Sequence, residues 1–173
     1  MTEAIDFYFD FSSPYGYLAS TQIDALAARH GRSVNWRPFL LGAVFKVSGQ
    51  KPLLDVPLKG EYSRRDFART ARLLHVPFRL PAAFPFAAVA ASRAVYWLGD
   101  QDPKRARTLA AAIYRAAYVE GRDVAPAASV ADIAAAQGLE REGVLAALND
   151  PAVKERLRVE VEAAIARGVF GSP

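Results

Sequence analysis

Asp10-Phe11-Ser12-Ser13-Pro14-Tyr15-Gly16-Tyr17 is the stretch on which the fold turns. Upstream, Ile5 to Phe11 alternates bulky and acidic residues, the composition of a buried strand. Ser12-Ser13-Pro14 breaks that pattern. Pro14 suits the first position of a helix and Ser13 its N-cap, because proline lacks only a donor that would be orphaned there. A helix is predicted to about Arg29, with Tyr17, Ile23, Leu26 and Ala27 on its apolar face and Gly31 closing it. Ser33 to Phe39 reads as a second strand. A strand, a helix and a strand in so short a space predict a parallel pair joined by a right-handed crossover.

Working outward, Leu40 to Tyr62 is punctuated by Gly42, Ser48, Gly49, Pro52, Pro57 and Gly60 and carries Lys46, Lys51 and Lys59. It reads as a long irregular segment, a kind often functional in a compact domain. Ser63-Arg64-Arg65-Asp66 resembles a capping box opening a helix to about His75, and Val76 to Pro85 reads as extended. The remainder is helical in pattern. Helices are expected over Phe86 to Leu98, from Asp102-Pro103 to about Glu120, after a Ser129 cap, over Glu140 to Leu148, and from Asp150-Pro151 to Arg167, with Gly168 as the stop. Tyr114 and Tyr118 share a helical face and read as core.

With 173 residues and 52% hydrophobic content, the chain can bury a sizeable core. Its net charge of +4 comes from arginines spread along helical segments, with no run of like charges. That distribution argues against nucleic acid and suits a small anionic ligand. There is no cysteine, which excludes disulfides, thiolate metal sites and any protein thiol chemistry. His30 and His75 stand at expected helix ends and read as structural, so no metal site is expected. Neither a signal peptide nor a membrane-length apolar run is evident, and a cytoplasmic protein is expected.

Ser13 is the candidate centre of chemistry. A hydroxyl between a strand end and a helix start lies among unpaired backbone N–H groups, where a carboxylate or a thiolate is stabilised. The same hydroxyl is equally at home as a simple helix cap. A hydrolase nucleophile is a poor fit, since no Gly-x-Ser-x-Gly turn surrounds Ser13 and neither histidine is placed as a base.

A strand followed by Asp-Phe-x-Ser-Pro-Tyr resembles the DsbA-like thioredoxin family, with Ser13-Pro14-Tyr15-Gly16 where the redox members carry Cys-Pro-x-Cys. The serine form is similar to the 2-hydroxychromene-2-carboxylate isomerases and kappa-class glutathione transferases. The likeness continues through Trp36-Arg37-Pro38-Phe39-Leu40-Leu41-Gly42-Ala43-Val44-Phe45-Lys46, Lys59-Gly60-Glu61-Tyr62, Arg65-Asp66 and Val76-Pro77-Phe78. It ends at Gly168-Val169-Phe170-Gly171-Ser172-Pro173, which looks like the approach to a cis-proline loop. The resemblance implies that Ser13 hydrogen-bonds the sulfur of glutathione and holds it as a thiolate. It also implies glutathione contacts from Pro14, Tyr15, Gln50, Lys59 and Pro173, and substrate contacts from Phe45, Lys46, Tyr62 and Arg79.

Two departures accompany the likeness. Gln50 stands where the transferase pattern has asparagine, and the family continues past the proline matching Pro173 with two strands and a helix, so residues 1–173 are expected to lack the C-terminal part of the thioredoxin unit. The expected fold is α/β: a thioredoxin-like domain of residues 1–61 and 168–173, split by an all-helical insertion of residues 62–167. The expected activity is glutathione-dependent isomerisation of 2-hydroxychromene-2-carboxylate, an aromatic 2-oxo acid type of substrate, by a homodimer in aromatic catabolism. A kappa-type transferase or peroxidase and a non-catalytic interaction module are the alternatives.

Overall fold

The computed structural model describes residues 3–173. Strand β1 (Ile5–Phe9) pairs in parallel with β2 (Val34–Pro38), Ile5 opposite Val34 and Phe9 opposite Pro38. The expected parallel pair is present, and it is the whole sheet among the described residues. Phe7, Phe9 and Phe11 all point into the core, where Phe9 lies 5.4 Å from the Trp36 ring and Phe11 4.8 Å from the Tyr114 ring. Edge-on and tilted ring pairs of this kind fill space that aliphatic side chains would leave.

The single helix expected to Arg29 is two: α1 (Pro14–Ser20) and α2 (Ile23–Arg29). Ser20 and Thr21 hydroxyls donate to the carbonyls of Tyr17 and Leu18 at 2.6 and 2.7 Å, and Gln22 N–H closes on Ala19 O instead of Leu18 O. Hydroxyl back-bonding of this kind competes with the helical ladder and ends it. His30 follows as the C-cap of α2.

The segment read as irregular contains a helix, α3 (Leu41–Ser48), and a single 3-10 turn, Leu53–Asp55. Helix α4 (Lys59–Leu73) begins before the expected capping box, and Ser63 is buried inside it. It starts early because the 3-10 turn packs against it: a Cβ on Gly60 would stand 2.5 Å from Leu54 O. His75 follows the end of α4 with a positive φ of 56°.

The helical remainder comprises α5 (Val89–Gly99), α6 (Pro103–Tyr118), α7 (Ala127–Ala135), α8 (Arg141–Asn149) and α9 (Pro151–Ala166). Asp102 caps α6 by accepting Lys104 and Arg105 N–H at 3.0 Å, and Asp150 caps α9 through Ala152 N–H. Two boundaries differ from expectation. Ser129 lies inside α7, its hydroxyl donating to Asp123 O, while Pro126 holds the cap position. Phe86 precedes α5 because its N–H donates to Ser12 Oγ at 3.0 Å. Residue 62 falls within α4, and one apolar cluster joins the strands to α5, α6, α7 and α8. A second cluster, with Phe39, Val44, Tyr96 and Leu157, seats α9 and α3 beside β2.

Candidate active site

The end of β1 and the start of α1 are locked by Asp10. Its carboxylate accepts Ser12 N–H and, from α3, Leu41 N–H, each at 2.7 Å, and its own N–H donates to Ser172 Oγ at 2.9 Å. From α6, the Tyr114 and Tyr118 hydroxyls donate to the carbonyls of Asp10 and Phe11 at 3.0 Å each. Three distant parts of the chain thus converge on one strand end. Burial pushes the Asp10 carboxyl up to about 6, against the pull of the Leu41 and Ser12 N–H groups, which favour the charged form.

Ser13 is the N-cap of α1, as the sequence predicts: its Oγ accepts Gly16 N–H at 3.0 Å and donates to Ser172 O at 3.0 Å. The side chain is 5% exposed, and that remaining face opens into a cleft of about 460 Å³. This volume lies in the range of roughly 300–1,000 Å³ typical of small-molecule sites. Tyr15 N–H, in the first helical turn, has no acceptor among the described residues, so a donor beside the hydroxyl remains unspent.

The cleft draws on five stretches of chain: residues 10–15, the α3 helix with the loop to Leu53, Phe67 of α4, residues 84–86, and residues 170–172. Of the residues singled out in the sequence, Ser13, Pro14, Tyr15, Phe45 and Gln50 line it. Lys46, Lys59, Tyr62, Arg79 and Pro173 do not. Lys46 stands exposed on the last turn of α3 and Lys59 exposed at the start of α4. Tyr62 lies under the Arg69 guanidinium, 5.5 Å from ring centroid to Cζ. Arg79 turns away to the end of α6, its N–H on Tyr118 O and its guanidinium against Gly121. Pro173 follows the lining residue Ser172 through a cis peptide bond, the geometry expected for it.

Tyr15 contributes its ring to the wall, packed edge-on at 4.8 Å from Phe67, while its hydroxyl donates to Asp66 at 2.6 Å. Burial, with the neighbouring Asp66 carboxylate adding to it, raises the phenol well above its ordinary value, so it stays protonated. Sequence reasoning missed Asp10, Ser12, Lys51, Phe84, Phe86, Phe170 and Ser172 as parts of the site. The one available signal was an acidic residue closing a strand otherwise built for burial.

A family model described as DSBA-like thioredoxin domain matches residues 4–173. The 2-hydroxychromene-2-carboxylate isomerase of Sphingobium xenophagum is 30% identical over 175 residues, covering 100% of this chain and 88% of that protein. Glutathione S-transferase kappa 1 of Homo sapiens is 24% identical over 181 residues, covering 100% of this chain and 80% of its own. A solved structure of a 2-hydroxychromene-2-carboxylate isomerase superposes with a TM-score of 0.87 at 28% identity, covering 99% of this chain and 83% of the other. With a serine capping the first helix at the end of β1 and a cleft opening beside it, the chain belongs to the DsbA-like thioredoxin family, among the relatives of the 2-hydroxychromene-2-carboxylate isomerases and kappa-class glutathione transferases.

Proposed function

We propose that this protein is a glutathione-dependent enzyme that isomerises 2-hydroxychromene-2-carboxylate to trans-o-hydroxybenzylidenepyruvate. The observation that carries the reading is the Ser13 hydroxyl at the wall of an aromatic cleft, in a chain with no cysteine of its own. The donor set fits a sulfur ligand: a hydroxyl hydrogen and the unspent Tyr15 N–H both serve a thiolate. Gln50 lines the same cleft and can meet the polar groups of a peptide-like ligand. Bound glutathione would supply a thiolate nucleophile whose addition turns the double bond to be rotated into a single bond and whose departure restores it.

The chain's own residues prepare for that chemistry. Ser13 Oγ holds Gly16 N–H in place and has one hydrogen to give, now donated to Ser172 O. Turning that hydrogen into the cleft places a donor on the incoming sulfur while the cap bond from Gly16 remains. Two turns of α1 contribute only a small dipole, so the hydroxyl and the first-turn N–H are the main stabilising groups. Phe45, Phe86 and Pro14 exclude water, which strengthens each of those hydrogen bonds.

Product analysis tests the reading. Conversion of 2-hydroxychromene-2-carboxylate is expected to require glutathione and to leave its total concentration unchanged. Conversion at the same rate without glutathione, or none at all, overturns it. The 24% identity to the human kappa enzyme over the full chain favours a transferase as the second reading, and steady consumption of glutathione with an electrophile would select it. A homodimeric, cytoplasmic enzyme of aromatic catabolism goes with the first reading.

A further inference from the structure

Helix α3 ends at Gly49, whose left-handed φ of 72° closes the last turn through its N–H to Phe45 O at 2.9 Å. Only glycine adopts that conformation at little cost, and the reversal carries the next residues, Gln50 to Leu53, along the cleft wall. Among the described residues, Lys51 is therefore the one cationic side chain that lines the cleft, with walls that include Phe45, Phe67, Phe84, Phe86 and Phe170. The other two ionisable groups there are already committed. Both Asp10 oxygens accept backbone N–H groups, and the Tyr15 hydroxyl is given to Asp66. No carboxylate pairs with Lys51 among the described residues, although thirteen other ion-pair contacts tie up the arginines around the molecule.

We propose that Lys51 is the specificity-determining residue of this cleft, receiving the carboxylate of a planar aromatic acid whose ring lies against the phenylalanine walls. The inference rests on reading the cleft as the substrate site and names the residue that selects acids over neutral compounds there. A lysine ammonium is a point charge on a flexible stem, so it meets carboxylates set at different angles to a ring. In open water such a pair contributes little, but a ligand ring that displaces water from the aromatic wall strengthens it. Lys46 and Lys59 do not line the cleft and stand exposed.

Equilibrium binding of 2-naphthoate and 2-naphthamide, two probes of the same ring with and without the charge, tests this. The wild-type protein is expected to bind the acid about tenfold more tightly than the amide, the scale of one charge-assisted hydrogen bond. Lys51→Ala is expected to abolish that preference without changing amide affinity, and Lys51→Arg to keep it. Equal binding of acid and amide by the wild type, no binding of either, or a preference that survives Lys51→Ala overturns the proposal. Glutathione titrated into the same variants separates the two claims. If Lys51→Ala weakens glutathione and spares the naphthoate preference, Lys51 serves the cofactor and the proposal fails. If glutathione never binds while the preference follows Lys51, the glutathione reading fails and the role of Lys51 stands.

Discussion

At 4% exposure the Asp10 carboxylate is nearly out of water, held by two backbone N–H groups at 2.7 Å with no cationic partner among the described residues. Burial is the larger influence, so its pKa is up at about 6 from the ordinary 3.8. Between those values the folded chain keeps a proton that the unfolded chain has lost. Stability therefore falls as pH rises through that window, by about 3 kcal/mol in all from this group, and its contribution is flat above about 6. Asp10→Asn removes the titration. Its amide also offers one oxygen to two N–H donors, which leaves one of them unmatched at a cost of about 1–3 kcal/mol. Denaturation of both proteins across mildly acidic pH is expected to show the wild-type advantage growing as pH falls from about 6 to 4. A constant difference would show that Asp10 does not titrate in the folded chain.

At the scale of elements, α1 lies so close to the strand end that Gly16 has no room for a side chain. A Cβ there would stand 2.7 Å from the Tyr114 hydroxyl and 2.8 Å from Ser172 Oγ. Gly16→Ala is expected to destabilise the fold by about 1–3 kcal/mol and to weaken any ligand at Ser13, because it pushes on the groups that orient that hydroxyl. Thermal melting and glutathione affinity measured on the variant check both parts, and an unchanged affinity would mean the Ser13 geometry tolerates the shift. The element boundaries also show what a sequence discloses. Ser13, Asp102 and Asp150 cap helices with side chains bonded two or three residues ahead, and that spacing is readable directly. Helix α3 was hidden because its first N–H, on Leu41, is satisfied by Asp10, thirty-one positions back. The capping box at Ser63 misled for the complementary reason: contact with the Leu53–Asp55 turn extends α4 past it. Local chemistry is legible along the chain, whereas a cap or a stop supplied by a distant element is not.

Across the whole molecule, the site is a meeting of distant segments. Tyr114 and Tyr118, which the helical periodicity marks as core, are core by their rings and scaffold by their hydroxyls, since both hold the carbonyls that precede Ser12. Arg167, just after α9, reaches Asp6 on β1 at 3.1 Å and brings the 168–173 stretch back to the strand pair. Ser172 then touches both Asp10 and Ser13. The βα start and the Ser13-Pro14 turn were enough to locate Ser13 at a helix start, whereas Pro14, Tyr15, Phe45 and Gln50 came from the family resemblance and line the same cleft as Ser13. Lys46, Lys59, Tyr62 and Arg79 were carried by likeness to loops whose side chains point elsewhere here, and no local pattern records that direction. In the proposed function, Ser13 holds glutathione as a thiolate. Titration of glutathione at near-neutral pH, followed by heat and by ultraviolet thiolate absorbance, tests it most directly in the wild type and in Ser13→Ala. Binding is expected with a thiol pKa at least about one below the ~8.5 of a free thiol, and with loss of that thiolate signal in the variant beyond what a lost cap of ~1 kcal/mol explains. Glutathione that fails to bind, or that shows the same thiolate signal with and without the Ser13 hydroxyl, would contradict it.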